Sequence, residues 1–215
     1  MKQTLIIFAK EPTKGTVKTR LASCLSQDQR VELYKAFLRD AIDLAKKVKC
    51  QERILAYTSD KRPTYIRKAA SKGFTLYRQR GKTLGDRMSD AFDLAKANGA
   101  DKTIIIGSDT PTLVEHFVAD GFQNLDQNDV VLGPAEDGGY YLIGLNNPCP
   151  GLFKSVEWST GNVLRQTIDN TKKLKKRLAL LDMWYDVDNE EDLACMIRYL
   201  SKDSSAESAR WTRRA

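Results

Sequence analysis

The sequence has one histidine, His116, and four cysteines, Cys24, Cys50, Cys149 and Cys195, none of them in a C-x-x-C pair. That scarcity argues against a zinc site or a Cys-His nucleophile pair. The separated cysteines read as free thiols in a reducing compartment. No run approaches the ~20 apolar residues that span a bilayer, so no membrane span is expected. The apolar stretch Leu5-Ile6-Ile7-Phe8-Ala9 is cut short by Lys10 and Glu11. It ends too early for a signal peptide and reads as a first strand, so a cytoplasmic location is expected. The 215 residues hold no internal repeat and no linker. One domain over residues 1–200 is the default, and the small, polar residues 201–215 are expected to fray.

Acidic residues are outnumbered: 35 Lys and Arg face 28 Asp and Glu, a formal net charge of +7. A basic balance suits anionic small molecules such as nucleotides, and it also suits nucleic acid. The run Lys172, Lys173, Lys175, Lys176 and Arg177 has no interleaved aromatics. It therefore reads as a solvated helix end, not a nucleic-acid platform.

Strand-length apolar runs alternate with helix-period segments. Leu5 to Ala9 precedes a helix from Gln27 to Val48, with Val31, Tyr34, Phe37, Leu38, Ala41, Leu44, Ala45 and Val48 on one face and Ser26 as N-cap. Arg53 to Tyr57, Phe74 to Tyr77 and Thr103 to Ile106 are further strands. Pro63 to Lys72 and Thr83 to Ala97 are helices, and Pro111 is placed to open another. Val130-Val131-Leu132 and Tyr140-Tyr141-Leu142-Ile143 follow as a hairpin, since Asp137-Gly138-Gly139 leaves no room for a crossover helix. A helix near Asn162 to Asp169, a strand at Leu178 to Leu181 and a helix from Glu190 to Leu200 complete the chain. The βα alternation predicts an α/β fold with a mostly parallel sheet between helices. The hairpin is expected to add antiparallel strands late, at one edge.

Ligands in such sheets sit beyond the C-terminal ends of the strands. Four segments lie there. The first loop carries Lys10, Lys14, Lys18 and Arg20 around Gly15, cations and free backbone N–H groups that suit a di- or triphosphate as well as a merely solvated loop. It is not a Walker A loop, because G-x-x-x-x-G-K-[ST] is absent. In Gly107-Ser108-Asp109-Thr110-Pro111 a hydrophobic strand delivers one carboxylate, which can hold Mg²⁺ with phosphate oxygens and waters, or can cap the next helix. Glu136 and Asp137 either form a turn with Gly138-Gly139 or orient an acceptor or reach the metal. Tyr140 and Tyr141 point to opposite faces of an extended segment, so at most one meets a pocket. Asp186 and Asp188 share a face; either can join Asp109 at a metal, and Asp188 can also cap the last helix with Glu191 as its partner.

Together these motifs resemble the nucleotide-diphospho-sugar transferase superfamily, the GT-A type of fold. The carrying residues are Phe8-Ala9-Lys10-Glu11-Pro12, Val17-Lys18-Thr19-Arg20-Leu21, Leu84-Gly85-Asp86-Arg87-Met88, Gly107-Ser108-Asp109-Thr110-Pro111, the stretch from Gly133 through Leu145, and Asp186-Val187-Asp188. They are closer still to the bacterial transferase family found beside radical-SAM and selenium-domain proteins. The segment from Lys18 through Asp40 is also similar to phospholactate guanylyltransferases.

The resemblance implies a Rossmann-like three-layer GT-A sandwich, a nucleotide over the first strand and loop, and Mg²⁺ or Mn²⁺ on Asp109 and Asp188. It implies nucleotide contacts from Ala9, Lys10, Lys18, Arg20, Arg80, Gly81 and Gly85. Catalytic parts fall to Lys18, Asp109 and Asp137, and acceptor contacts to Glu136, Asp137, Gly138 and Tyr140. The expected ligands are a nucleoside triphosphate or sugar nucleotide and a small-molecule acceptor. Glycosyl transfer from a nucleoside-diphosphate sugar is the leading reading, and nucleotidyl transfer to a small phosphorylated acceptor is the alternative. Glycosyltransferases of this fold usually carry Asp-x-Asp at the metal strand; here Gly107-Ser108-Asp109 has only the second acid. That absence motivates a reading from another class, a non-catalytic nucleotide-binding partner of a metabolic enzyme.

Overall fold

The computed structural model describes residues 1–59, 61–70, 73–202 and 209–215. Seven strands form one sheet: β1 (Gln3–Lys10), β2 (Glu52–Thr58), β3 (Thr75–Arg78), β4 (Lys102–Ile106), β5 (Val130–Pro134), β6 (Tyr140–Leu145) and β7 (Leu178–Leu180). Six α-helices among the described residues flank it: α1 (Gln27–Lys47), α2 (Tyr65–Ala70), α3 (Leu84–Ala97), α4 (Glu115–Asn124), α5 (Val163–Lys173) and α6 (Glu190–Lys202). The expected helix from Pro63 to Lys72 is observed over Tyr65–Ala70, and residues 71 and 72 lie outside the described residues. No described helix is long and apolar enough to cross a membrane.

The strand order is β3-β2-β1-β4-β6-β5-β7. β1 pairs in parallel with β2 and β4, and β2 with β3. β6 is antiparallel to both β4 and β5, while β5 and β7 are parallel. The hairpin is therefore not an edge addition: its second strand, β6, inserts in the sheet interior as the one reversed strand. The tight Asp137-Gly138-Gly139 connection fixes that β5 and β6 are neighbours. It does not fix which free edge β4 receives, and here that edge is β6.

Burial explains the register. All five residues of β4 are buried, and its β-branched run Thr103 to Ile106 suits a sheet covered on both faces. Alternate side chains feed two cores. Leu5, Ile7, Ile104 and Ile106 pack with Leu38, Ala41 and Ala45 of α1 and with Phe117 and Val118 of α4. Ile6, Ile54, Ile105 and Ile143 pack on the other face with Met88, Ala91, Phe92 and Ala95 of α3. Each fully buried isoleucine contributes roughly 2 kcal/mol relative to exposure. A third, smaller cluster of Leu21, Leu33, Phe37, Val187 and Met196 joins the first loop to α1 and α6.

Residues 211 and 212 bond to α1. Trp211 and Thr212 donate their backbone N–H groups to the Asp40 carboxylate of α1 at 2.8 and 2.9 Å, and the Thr212 hydroxyl adds a bond of 2.6 Å. A buried acceptor on α1, which helical periodicity does not single out, ties this tail down. Residues 203–208 lie outside the described residues.

Candidate functional site

Asp109 lies just beyond the C-terminal end of β4, where the sheet ends and the chain turns. Residues 110–112 form that turn, and α4 begins only at Glu115 with Val114 as its N-cap. Pro111 therefore does not open the helix, and Asp109 does not cap it. The turn is fixed by its neighbours. The Asp109 carbonyl accepts from the Val187 N–H at 3.0 Å. Ser108 is buried and shares a 2.9 Å hydrogen bond with the Tyr34 hydroxyl, which also accepts from the Lys10 N–H at 2.8 Å. Burial, reinforced by the Asp109 charge, raises the Tyr34 phenol far above its ordinary range. It stays protonated and couples the first loop to the Asp109 turn.

Lys18 enters from the first loop in a left-handed conformation (φ 48°, ψ 42°), sparsely populated for a residue with a Cβ and a recurrent feature of functional sites. Its side chain is only 2% exposed. Its ammonium donates to the Val187 carbonyl at 2.7 Å and to Asp188 Oδ1 at 3.0 Å, and it is ion-paired with Asp109. The Phe37 ring centroid lies 5.2 Å away on another side. Burial alone would lower the ammonium's pKa, but Asp109 and Asp188 outweigh it and hold the group above the usual lysine value.

Asp186 and Asp188 flank Val187, whose buried side chain anchors the pair in the third core cluster. Asp188 does not cap α6. Asn189 does: its Oδ1 accepts from the N–H groups of Glu191 and Asp192, and the Asp192 carboxylate accepts in return from those of Asp188 and Asn189. The cap is thus one residue later than the Asp188–Glu191 pair expected from sequence, which leaves the Asp188 carboxylate free to face Lys18 and Arg20, the latter at 3.9 Å. The Thr110 hydroxyl lies 3.4 Å from the Asp186 carboxylate. Burial, followed by the charges of Asp109, Asp137 and Asp188, pushes the Asp186 carboxyl up to about 7.

These groups floor an open cleft of about 410 Å³ lined by Ala9, Lys10, Thr16, Lys18, Arg20, Ser108, Asp109 and Asp188. Its far wall is Gln79, Leu84 and Arg87, not Arg80, Gly81 and Gly85. Arg80 stacks on Tyr77, with 5.7 Å to the ring centroid. The Gly81 carbonyl accepts from Arg87 Nε at 3.2 Å, which holds that guanidinium at the wall. Gly85 packs under Trp158 and Phe153, where a Cβ would come within 2.7 Å of the indole. The sequence singled out Arg87 only as part of the Leu84–Met88 motif and gave no sign of Gln79, Thr58 or Ser159; all four line the cleft. The signal for Arg87 was its place in the first turn of a helix behind a Thr83–Asp86 capping box.

Glu136 and Asp137 sit on the β5–β6 turn. The Asp137 carboxylate accepts from the Gly139 N–H at 2.8 Å, the expected turn role, while its charge reaches Asp186. Gly138 takes φ 83° against Gly161. Tyr140 packs into the α3-side core with its hydroxyl toward Met88 Sδ, and Tyr141 lies in the opposite core, so neither lines the cleft. No group of three or more His, Cys, Asp or Glu side chains among the described residues is arranged to hold a metal. Two carboxylates at the cleft floor, Asp109 and Asp188, can hold Mg²⁺ or Mn²⁺ when substrate phosphates and waters supply the remaining oxygens.

Residues 41–160 match the family model described as "Uncharacterized protein conserved in bacteria (DUF2064)". That span holds Asp109 and the Gly133–Leu145 stretch. The structure superposes with a TM-score of 0.90 and 29% identity, over 100% of this chain and 95% of the other, on a Desulfovibrio desulfuricans G20 protein assigned provisionally as a nucleotide-diphospho-sugar transferase. A 2-phospho-L-lactate guanylyltransferase from Methanothermobacter thermautotrophicus is 32% identical over 124 residues, 57% of this chain. The match spans 53% of that protein, about half its length. The fold also matches 4-diphosphocytidyl-2C-methyl-D-erythritol synthase at a TM-score of 0.61 and 11% identity, covering 93% of this chain and 98% of that one.

Proposed function

The chain belongs to the DUF2064 family, and we propose that it is a metal-dependent nucleotidyltransferase that moves a nucleoside monophosphate from a nucleoside triphosphate to a small phosphorylated acceptor. The observation that carries this reading is the convergence of Asp109 and Asp188, carried on separate turns of the chain, at the floor of a cleft rimmed by Lys10, Arg20 and Arg87. Two carboxylates facing a cationic rim are the complement of a polyphosphate and its divalent counter-ion. The guanylyltransferase relative supports the same chemistry.

In this reading an acceptor phosphate oxygen attacks the α-phosphorus. The bond to the bridging α–β oxygen breaks, and pyrophosphate leaves with the electron pair. A bound divalent cation would supply charge neutralisation at the phosphates. Asp109 and Asp188 would hold it, and Arg20 and Lys10 would meet the charge that develops on the leaving group. Tyr34 and Ser108 keep the Lys10 and Asp109 segments in register. Asp186, half-buried behind the pair with its carboxyl near neutrality, adds little charge of its own. Gln79, Leu84 and Arg87 form the wall where the base would lie; the Glu136–Gly138 turn is outside the cleft lining and would act on an acceptor through Asp137, whose charge reaches Asp186.

Glycosyl transfer from a nucleoside-diphosphate sugar is the second reading. It is favoured by the full-length likeness to the Desulfovibrio desulfuricans protein. The lone acid of Gly107-Ser108-Asp109 speaks for the first reading, because the second carboxylate comes from Asp188 and not from an Asp-x-Asp. Calorimetry of nucleoside triphosphate binding with Mn²⁺ tests the site. Asp109→Asn and Asp188→Asn are each expected to weaken binding at least tenfold, since each removes one of two anionic ligands. Affinity unchanged in both would sink the proposal.

A further inference from the structure

Lys18 does not behave as a phosphate-reaching lysine. An ammonium has three N–H donors and no more. Here they are met by the Val187 carbonyl at 2.7 Å, by Asp188 Oδ1 at 3.0 Å and by the Asp109 carboxylate. The side chain is 2% exposed, and the Phe37 ring closes another side. The backbone holds the left-handed conformation that aims this side chain inward, while the neighbouring Arg20 is 63% exposed at the cleft. The nitrogen thus sits at the point where the two carboxylates converge. An ion held by those carboxylates would share their oxygens with it or displace it. Unscreened like charges at such a distance oppose each other strongly inside a protein.

We propose that Lys18 is the resident counter-ion of the Asp109–Asp188 pair, which holds the carboxylates together in the nucleotide-free protein and competes with a divalent cation for them. The inference rests on the reading of those two residues as metal ligands. It makes Lys18 a positioning residue and leaves the phosphates to Lys10, Arg20 and Arg87. It also orders binding. The free protein takes a divalent cation poorly, and triphosphate oxygens, by adding negative charge and ligands, tip the competition toward the metal.

The test is Mn²⁺ titration of the full chain without nucleotide, read by electron paramagnetic resonance, so activity is not involved. Lys18→Met removes the charge but keeps the buried stem, and is expected to bind Mn²⁺ roughly tenfold or more tighter than the wild type. Lys18→Arg keeps the charge and is expected to match the wild type. Added triphosphate is expected to raise Mn²⁺ affinity more in the wild type than in Lys18→Met. Equal or weaker Mn²⁺ binding by a cooperatively folded Lys18→Met protein overturns the proposal. Should Lys18→Met fail to fold, the wild type decides: the ¹⁵N signal of the Lys18 ammonium is expected to shift as Mg²⁺ saturates the site, and saturation without a shift overturns the proposal. The two readings fail differently. Mn²⁺ binding that Asp109→Asn abolishes, but that is the same in wild type and Lys18→Met, sinks only the competition. Mn²⁺ binding indifferent to Asp109→Asn sinks the metal site itself.

Discussion

Tyr34 and Ser108, 74 residues apart, share a buried hydrogen bond of 2.9 Å between the middle of α1 and the turn that carries Asp109. The same hydroxyl accepts from the Lys10 backbone N–H at 2.8 Å. One phenol therefore sets the spacing of the loop and the carboxylate. Tyr34→Phe removes both bonds while keeping the ring. The expected loss is about 1–2 kcal/mol of stability in urea unfolding, from the bonds and the groups left unpaired. The apparent nucleotide affinity is expected to fall several-fold. An unchanged affinity alongside the stability loss would assign Tyr34 to structure alone.

The position of Asp188 depends on the helix cap beside it. Asn189→Ala removes the acceptor for the Glu191 and Asp192 N–H groups. Loss of such a cap costs about 1 kcal/mol. Because Asp188 is the preceding residue, metal-dependent nucleotide binding is expected to weaken with it, and Asn189→Asp is expected to restore both. Thermal melting and calorimetry on the same preparations check the pair of effects.

Gly138 holds the β5–β6 turn against the segment before α5. Its φ is 83°, an added Cβ would collide with the Gly161 carbonyl, and its own carbonyl accepts from the Leu164 N–H at 2.9 Å. The left-handed conformation alone costs a residue with a Cβ roughly 1–2 kcal/mol. Gly138→Ala is therefore expected to destabilise by at least about 2 kcal/mol, with the backbone collision added. Chemical unfolding measures it; a cost under half of that would show that the turn relaxes freely.

Asp40 gives the tail a pH dependence. Burial raises its carboxyl above the ordinary aspartate value of 3.8 in spite of the hydrogen bonds from Thr212 and Trp211. The folded state then takes up a proton more readily than the unfolded chain. The contribution of this group is thus most favourable below the unfolded value and is lost as the pH rises through the raised folded value. The stability of the wild type relative to Asp40→Asn is expected to decline over that window. A difference that grows with pH would reverse the sign of the argument.

Much of the site was legible because local signals were strong. The run Ile104-Ile105-Ile106 announced a central strand and so placed Asp109 beyond its C-terminal end. Ser26 as N-cap and the apolar face of α1 fixed the longest helix nearly to the residue, and the structure adds the Gln29 half of a capping box. What stayed hidden depends on tertiary geometry. The charge pattern marked Lys18 as a phosphate contact, but its left-handed backbone turns the ammonium inward to Asp109 and Asp188. A hairpin names its own two strands and not the third partner, so β6 was expected at an edge and lies inside the sheet. Asp188 could cap or coordinate on sequence alone, until Asn189 proved to be the cap. The resemblance pointed to Arg80, Gly81 and Gly85 for base contacts, and of that stretch the helical turn presents Leu84 and Arg87 to the cleft.

The most direct measurement incubates the full chain with each nucleoside triphosphate, Mn²⁺ and small phosphorylated acids, and follows pyrophosphate release by a coupled assay. Nucleotidyl transfer predicts pyrophosphate in step with loss of one triphosphate and formation of a nucleotide-capped acceptor, all abolished by Asp109→Asn. Release of a nucleoside diphosphate from a sugar nucleotide in a parallel panel, with no pyrophosphate from any triphosphate, would contradict it.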